Sequence, residues 1–152
     1  MIKVMFVCLG NICRSPMAEC VASRMIKERG LQNKIEVASS ATSFEEVGNP
    51  IYPPAVRKLK EEGVEVLAHR AVRITPKDAK EFDYIVCAEE RNVRAVKQIV
   101  GDSGNIYRLL DFSPNPRDIA DPWWMGNFDV TYDDIKDGCE CLLNHIVSHD
   151  LH

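Results

Sequence analysis

The first residues of the chain have the pattern of a buried strand, a tight loop and a helix. The run Ile2–Val7 (IKVMFV) is apolar and β-branched, which favours a central strand. Gly10 and Asn11 tolerate the backbone angles of a sharp turn. Ser15-Pro16 has the form of an N-cap followed by proline at the first helical position. The chain therefore opens as one strand–helix unit, which restricts it to folds that mix the two.

The rest of the chain repeats this alternation. Further strands are predicted at Ile35–Ala38, Asp83–Ala88 and Ile106–Leu110, and helices at Met17–Arg29, Ala55–Glu62, from Thr75, at Arg91–Val100 and at Asp129–Ser148, the last with an imperfection at Gly138. Such alternation predicts an α/β fold, a single domain over residues 1–152 with an open four-stranded parallel sheet and helices on both faces. Ligands of such sheets bind beyond the carboxyl ends of the strands.

Composition excludes several classes of protein. The 152 residues fit one domain, and the net charge of −4 without a basic stripe argues against nucleic acid and anionic membranes. No apolar run reaches the ~20 residues of a membrane span. The six cysteines follow no secretory signal and lack zinc-site spacing, so we expect reduced thiols, a cytoplasmic protein, and neither a metal nor another cofactor.

The loop between the first strand and the first helix carries the strongest chemical signal. Backbone amides at a helix N-terminus form an anion site, so this segment is the predicted phosphate-binding loop. Arg14 adds a planar fork that can grip two oxygens. Cys8 is expected to be a thiolate there, and Ser15 can donate a hydrogen bond to it. A soft nucleophile inside an oxyanion cradle predicts covalent catalysis on a phosphoryl group.

The wording of this segment, VCLGNICRSPMAE, resembles that of the low-molecular-weight protein tyrosine phosphatases. Other pieces resemble the family too: the stretches 39–50 and 82–92, His69-Arg70-Ala71 and Asp121-Pro122-Trp123. The resemblance covers nearly the whole chain and implies hydrolysis of phosphotyrosine in proteins. It also implies inorganic phosphate or other oxyanions as product-like ligands, and a monomer or weak dimer.

The resemblance implies a role for each residue of the site. Cys8 attacks phosphorus and forms a phosphocysteine, and Asp121 protonates the leaving oxygen and then activates water. Ser15 assists the thiolate. The amides of the loop and the Arg14 guanidinium hold the phosphate oxygens, which makes the phosphate-binding residues Leu9, Gly10, Asn11, Ile12, Cys13 and Arg14. Other carboxylates nearby compete for the acid role, namely Asp118, Asp129, Asp133 and Asp134.

Supporting and pocket residues follow from the same resemblance. Asn11, with Ser39 and His69, keeps the loop in shape, and Glu89 stands where relatives often have aspartate. The expected walls of the substrate pocket are Phe44, Trp123 and Trp124. Relatives usually carry the first of these aromatics one residue later, at the position of Glu45, so core packing is the alternative for Phe44. Cys13 is the expected redox partner of Cys8 in a protective disulfide.

Four other functions remain as alternatives. Some relatives act on phosphoarginine and have a small threonine where this chain has Ile12, whose branched side chain favours phosphotyrosine. Thiol-dependent arsenate reductases need two more redox cysteines, whereas Cys87 stands alone. Arg14 and Asp121 argue against a phosphocarrier and against a silenced phosphotyrosine-binding module.

The spacing of Cys141, His145 and His149 would allow a metal site, but the end of the last helix is a poor place for one.

Overall fold

The computed structural model describes residues 1–151 and consists of alternating strands and helices. The strands are β1 (Ile2–Cys8), β2 (Ile35–Ala41), β3 (Tyr84–Cys87) and β4 (Ile106–Arg108). The α-helices are α1 (Arg14–Glu28), α2 (Pro53–Glu61), α3 (Pro76–Glu81), α4 (Glu90–Val100), α5 (Pro122–Met125) and α6 (Phe128–Asp150), and a 3₁₀ turn covers Leu109–Phe112.

The four strands form one parallel sheet in the order β2-β1-β3-β4. In the register, Val4 of β1 lies between Val37 of β2 and Tyr84 of β3. The predicted open, parallel, four-stranded sheet is confirmed. Because β1 is flanked on both sides, its carboxyl end, at Cys8, lies in the middle of the edge where such sheets bind ligands.

Alternating side chains of the strands supply two apolar layers. Val4 and Phe6 of β1 point into the larger core, which α1 and α6 cover. Met5 and Val7 point to the opposite face, where they join a smaller cluster with Val96 of α4. Helices therefore cover both faces, as predicted, and the period-two pattern of a strand explains why neighbouring residues of β1 serve different layers.

The start of α1 differs from the prediction. The helix begins at Arg14, its N-cap is Cys13, and no side chain caps it. Ser15 is thus inside the first turn, and the prediction that it is the N-cap is wrong. Its hydroxyl lies next to the Cys8 sulfur instead, and a hydroxyl committed to that contact is not the acceptor for the helix's free amides.

The last helix also differs from the prediction, because it is continuous through Gly138. Gly138 is buried, and a Cβ built on it lies 2.5 Å from Cγ of Leu109 in the 3₁₀ turn. The glycine is therefore a close-packing position rather than an imperfection. The strand predicted over Ile106–Leu110 ends earlier, at Arg108. Leu109 and Leu110 belong to the 3₁₀ turn instead, and they are buried under α6.

Within residues 1–151, no helix has the length and apolar character needed to cross a membrane. The described residues also contain no group of three or more His, Cys, Asp or Glu side chains arranged to hold a metal ion. At the end of α6 the His145 and His149 rings instead stack on each other at 4.0 Å between centroids.

Candidate active site

The sulfur of Cys8 lies at the centre of the loop that joins β1 to α1. Cys8 is buried, and its Sγ accepts hydrogen bonds from the backbone N–H of Asn11 at 3.3 Å and of Ser15 at 3.4 Å. The Ser15 hydroxyl lies 3.0 Å from the same sulfur. Two backbone amides and one hydroxyl therefore surround the predicted nucleophile at the N-terminus of α1.

Asn11 holds the loop in this shape. It has a φ of 60°, in the left-handed region that asparagine tolerates better than most residues. Its buried side chain donates to the hydroxyls of Ser15 (2.8 Å) and Ser39 (3.0 Å) and accepts from the Val72 amide (3.1 Å). His69 Nε2 lies 2.6 Å from the Asn11 carbonyl oxygen. The predicted loop-support residues are therefore brought together.

A further acidic residue, which the sequence did not reveal, extends this network. The Ser39 hydroxyl donates to Glu19 of α1 at 2.6 Å. Glu19 is the last residue of the VCLGNICRSPMAE segment, but the sequence alone indicates no partner for it. Through Ser39, β2 and α1 fix the Asn11 side chain, which shapes the loop between β1 and α1.

The Arg14 guanidinium is directed towards the loop by partners from distant parts of the chain. Its side chain is only 3% exposed. It donates to the carbonyl oxygen of Ile119 at 2.8 Å and pairs with Glu89 at 3.2 Å and with Asp121 at 3.5 Å. A backbone carbonyl leaves no trace in a sequence, so the Ile119 contact could not be predicted. Buried charges need such partners to offset the loss of hydration.

Asp121 has two contacts, one as a helix cap and one with the Arg14 guanidinium. One carboxylate oxygen accepts from the amide of Trp123, which makes Asp121 the N-cap of α5. The other lies 3.5 Å from Arg14, and the residue lines the same cleft as Cys8. A helix cap and a site residue are therefore compatible at this position.

The competing carboxylates lie outside the cleft lining. Three of them have cationic partners of their own: Asp118 with Arg108 at 3.1 Å, Asp129 with Lys58 at 2.7 Å, and Asp134 with Arg117 at 2.7 Å. Asp133 is exposed on α6 and does not line the cleft either. Of the five candidates for the acid role, only Asp121 faces the cysteine-containing cleft.

The cleft above the loop has a volume of about 190 Å³. Trp123 and Trp124 line it, together with Ile12 and Cys13 of the loop. Tyr52, which the sequence did not single out, supports this wall: its ring packs against Trp123 at 4.7 Å between centroids. The Tyr52 amide also donates to the Ile12 carbonyl at 2.9 Å. The start of α2 therefore links the phosphate-binding loop to the aromatic wall.

Phe44 does not line the cleft, and its assignment as a pocket wall is corrected. The side chain is 70% exposed, which also excludes the alternative of core packing. Its ring lies under the guanidinium of Arg73, 4.2 Å away, so a cation–π contact holds it elsewhere. This part of the wall consists of Ser43, Glu45 and Glu46 instead.

Cys13 lies beside Cys8 in the lining of the same cleft. Burial, with smaller contributions from the charges of Cys8 and Asp121, raises the pKa of the Cys13 thiol to about 12. Cys13 is therefore protonated at neutral pH. All six cysteines are free thiols, and Cys20, Cys87 and Cys139 are buried.

The fold and the site together define a class of protein. A parallel α/β sheet whose central strand ends at a buried cysteine, with an arginine and a carboxylate in the same cleft, defines the class of enzymes that use a cysteine nucleophile on an anionic group. Similarity to known proteins identifies the family within this class.

The family model for low molecular weight phosphotyrosine protein phosphatase matches residues 3–151, and the chain belongs to this family. It is 37% identical to the low molecular weight protein-tyrosine-phosphatase YfkJ of Bacillus subtilis, over 96% of each chain. The crystal structure of YfkJ superposes with a TM-score of 0.95, covering 99% of this chain and 97% of the other.

Two further relatives give the range of the family. PtpA of Staphylococcus epidermidis, also named a low molecular weight protein-tyrosine-phosphatase, is 35% identical over 97% of this chain and 95% of its own. The crystal structure of DARP, a Drosophila arginine phosphatase, is 30% identical with a TM-score of 0.89, over 98% of this chain and all of the other. The family fold is thus found in proteins named for different phosphorylated residues.

Proposed function

We propose that this chain hydrolyses phosphotyrosine in proteins, with Cys8 as the nucleophile. The observation that carries the proposal is the position of the Cys8 sulfur. It lies at the base of a cleft, surrounded by two backbone amides and the Ser15 hydroxyl, with Arg14 and Asp121 in the same lining. Membership of a family of phosphotyrosine phosphatases supports the reaction class.

In the first step the Cys8 thiolate attacks phosphorus, and an S–P bond forms while the bond from phosphorus to the tyrosyl oxygen breaks. The leaving oxygen takes the electron pair of that bond and a proton from Asp121. The amides of residues 9–14 and the Arg14 guanidinium stabilise the charge on the phosphoryl oxygens. Arg14 is already oriented for this by Glu89 and the Ile119 carbonyl.

In the second step water attacks the phosphocysteine. The S–P bond breaks, the electron pair returns to sulfur, and Asp121 takes a proton from the attacking water. Ser15, 3.0 Å from the sulfur, stabilises the thiolate as it leaves. The products are inorganic phosphate and the regenerated enzyme, so phosphate and other oxyanions are expected to compete with substrate.

The walls of the cleft favour an aromatic substrate. Trp123 and Trp124 can flank a phenyl ring, and the branched side chain of Ile12 lies in the lining. The likeness to DARP makes phosphoarginine the second candidate. Arsenate reduction has less support, because Cys87 is 0% exposed on the opposite face of the sheet with no cysteine partner among the described residues.

The two cysteines of the cleft suggest a redox response. Peroxide converts the Cys8 thiolate to a sulfenic acid, and the Cys13 thiol then displaces water to form a disulfide. Thiol reductants reverse this reaction. Such control, like six free cysteines, fits a reducing, cytoplasmic environment.

The experiment that tests the proposed function measures hydrolysis of para-nitrophenyl phosphate between pH 5 and 8, in fully reduced protein with EDTA present. Cys8→Ser is expected to abolish turnover. Asp121→Ala is expected to lower kcat by about 10²–10⁴-fold, the usual contribution of a placed acid. Asp133→Ala, an exposed acid of the same region, is the matched control and should behave as wild type.

Phosphotyrosine and phosphoarginine peptides then establish the substrate class. A higher kcat/KM for phosphotyrosine is expected, and a preference for phosphoarginine would replace the first candidate with the second. An absence of turnover in the reduced wild-type protein would contradict the cysteine phosphatase mechanism as a whole.

A further inference from the structure

Two carboxylates line the mouth of the cleft beside the catalytic loop. Glu45 is exposed and Glu46 is partly buried, and both contribute to the lining that contains Cys8 and Arg14. Among residues 1–151, no lysine, arginine or histidine nitrogen lies within 4.0 Å of either carboxylate. Arg73, whose guanidinium lies over the neighbouring Phe44 ring, donates to the Thr42 carbonyl. Neither carboxylate therefore has a direct cationic partner among these residues, and the Arg14 guanidinium of the same lining is paired with Glu89 and Asp121.

Glu46 is held in place at this position. Its carboxylate accepts a hydrogen bond of 2.6 Å from the side chain of Asn49. Its Cγ packs against Gly10 of the loop, 3.3 Å from where a Cβ would stand on that glycine. Glu45 and Glu46 thus place two carboxylates without a cationic partner on the rim of the cleft that contains Cys8 and Arg14.

The two tryptophans on the other side of the cleft also favour a cationic substrate side chain. Trp124 is 77% exposed and Trp123 is 52% exposed, although both line the cleft. Exposed indole faces attract lysine and arginine side chains, and tryptophan is the strongest of the aromatic residues in this respect. The same chain already pairs a guanidinium with an aromatic ring, at Arg73 and Phe44. Two independent features of one cleft thus suit a cationic neighbour.

We propose that the cleft selects phosphotyrosines flanked by lysine or arginine and rejects those flanked by glutamate or aspartate. This proposal rests on the proposed function and names its substrate class. An anionic phosphopeptide meets like charge at Glu45 and Glu46, which raises the free energy of binding for acidic flanks. A flanking cation offsets that repulsion and can also lie over Trp124. Glu45 and Glu46 act as specificity residues, and neither takes part in the chemical steps.

The test compares two phosphotyrosine peptides of equal length and hydrophobicity, one with lysine and arginine on both sides of the phosphotyrosine and one with glutamate. Wild type is expected to show a kcat/KM about tenfold higher for the basic peptide at low salt, the order of effect of two charge contacts at a rim. The preference should shrink as salt approaches 0.5 M, because surface charges are then screened within a few ångströms.

The Glu45→Gln/Glu46→Gln double variant is expected to bring the ratio of the two kcat/KM values to within about twofold of one. Only the contacts with the indole rings then favour the basic peptide. The matched control is Glu61→Gln/Glu65→Gln, which removes the same net charge from exposed positions outside the cleft. That control should keep the tenfold ratio. A loss of preference in the control would show that the net negative charge of the protein, not Glu45 and Glu46, produces the preference. That result would overturn the assignment to the rim.

Binding of the same peptides to Cys8→Ser, measured by calorimetry, separates this proposal from the proposed function. Tighter binding of the basic peptide without any turnover by wild type would contradict the proposed function alone. Equal binding and equal kcat/KM for the two peptides, or a preference for the acidic one, would overturn the selectivity. A preference for the basic peptide that survives unchanged in Glu45→Gln/Glu46→Gln would also overturn it.

Discussion

The Arg14 side chain is almost completely buried, and its charge is balanced by Glu89, just after β3, and by Asp121, just before α5. Sequence reasoning could place Arg14, Cys8 and Asp121 because a short motif with a chemical purpose fixes the residue types. It could not place the Ile119 carbonyl, since every residue has one. Nor could it predict that the Phe44 ring packs against the Arg73 guanidinium, because these residues are 29 positions apart in the chain.

The pair between Arg14 and Glu89 is expected to stabilise the fold and to orient Arg14. Glu89→Gln keeps the size of the side chain but removes the charge that lies 3.2 Å from the guanidinium. We expect the free energy of unfolding to fall by about 1–3 kcal/mol, the usual contribution of a hydrogen bond to a charged group. Inhibition by inorganic phosphate should weaken as well, because Arg14 loses part of its orientation.

Urea denaturation and phosphate inhibition measure these two effects. Glu90→Gln is the matched control, because Glu90 is the next residue but is exposed. If Glu89→Gln and Glu90→Gln had the same stability and the same phosphate inhibition, the pair would contribute nothing to the site.

At the scale of elements, hydrophobic patterning predicted which segments are strands and helices but not where they end. Three of the shifts have a physical cause in tertiary contacts: α1 starts early because Ser15 faces the sulfur, β4 stops early because Leu109 and Leu110 turn inward, and α6 continues because Gly138 fits against Leu109. Local propensity does not contain these contacts, so the sequence alone suggested a cap, a longer strand and a helix defect.

Gly138→Ala tests the packing of α6 on the 3₁₀ turn. In an exposed helix this change stabilises by about 1 kcal/mol. Here the new Cβ meets Leu109 at 2.5 Å, so we expect a net loss of about 1–3 kcal/mol from overpacking. The measurement is the free energy of unfolding in urea.

The control for this prediction is a double-mutant cycle with Leu109→Ala, which removes the atoms that clash. In that background Gly138→Ala should cost less than alone, or stabilise. Equal effects of Gly138→Ala in both backgrounds would show that the glycine is not kept for this contact.

At the scale of the whole molecule, the buried thiols lie on both faces of the sheet, with Cys139 against α1 and Cys87 on the opposite face. Burial raises the pKa of both thiols well above the usual value of 9.0. In the unfolded chain they ionise once the pH passes about 9, whereas in the folded protein they stay protonated. The stabilisation is therefore complete below pH 9 and decreases as the pH rises.

Stability is thus expected to fall above pH 9 by about 1.4 kcal/mol per pH unit for each fully buried thiol. Urea denaturation between pH 7 and 10.5, in reducing buffer, measures the slope. Cys139→Ala should give a shallower slope than wild type, because one group no longer titrates. Parallel curves for the two proteins would contradict the role of the thiol.

Cys8 ends a strand that is hydrogen-bonded on both sides, and the amides of Thr42 and Ala88 tie its end to the segments after β2 and β3. The walls of the cleft come from elsewhere, from the connection after β2 and from the four-residue helix α5. Heritable changes in those two connections can alter what enters the cleft without moving the reacting sulfur. A lineage that keeps this sheet can therefore acquire new substrates through changes in its connections.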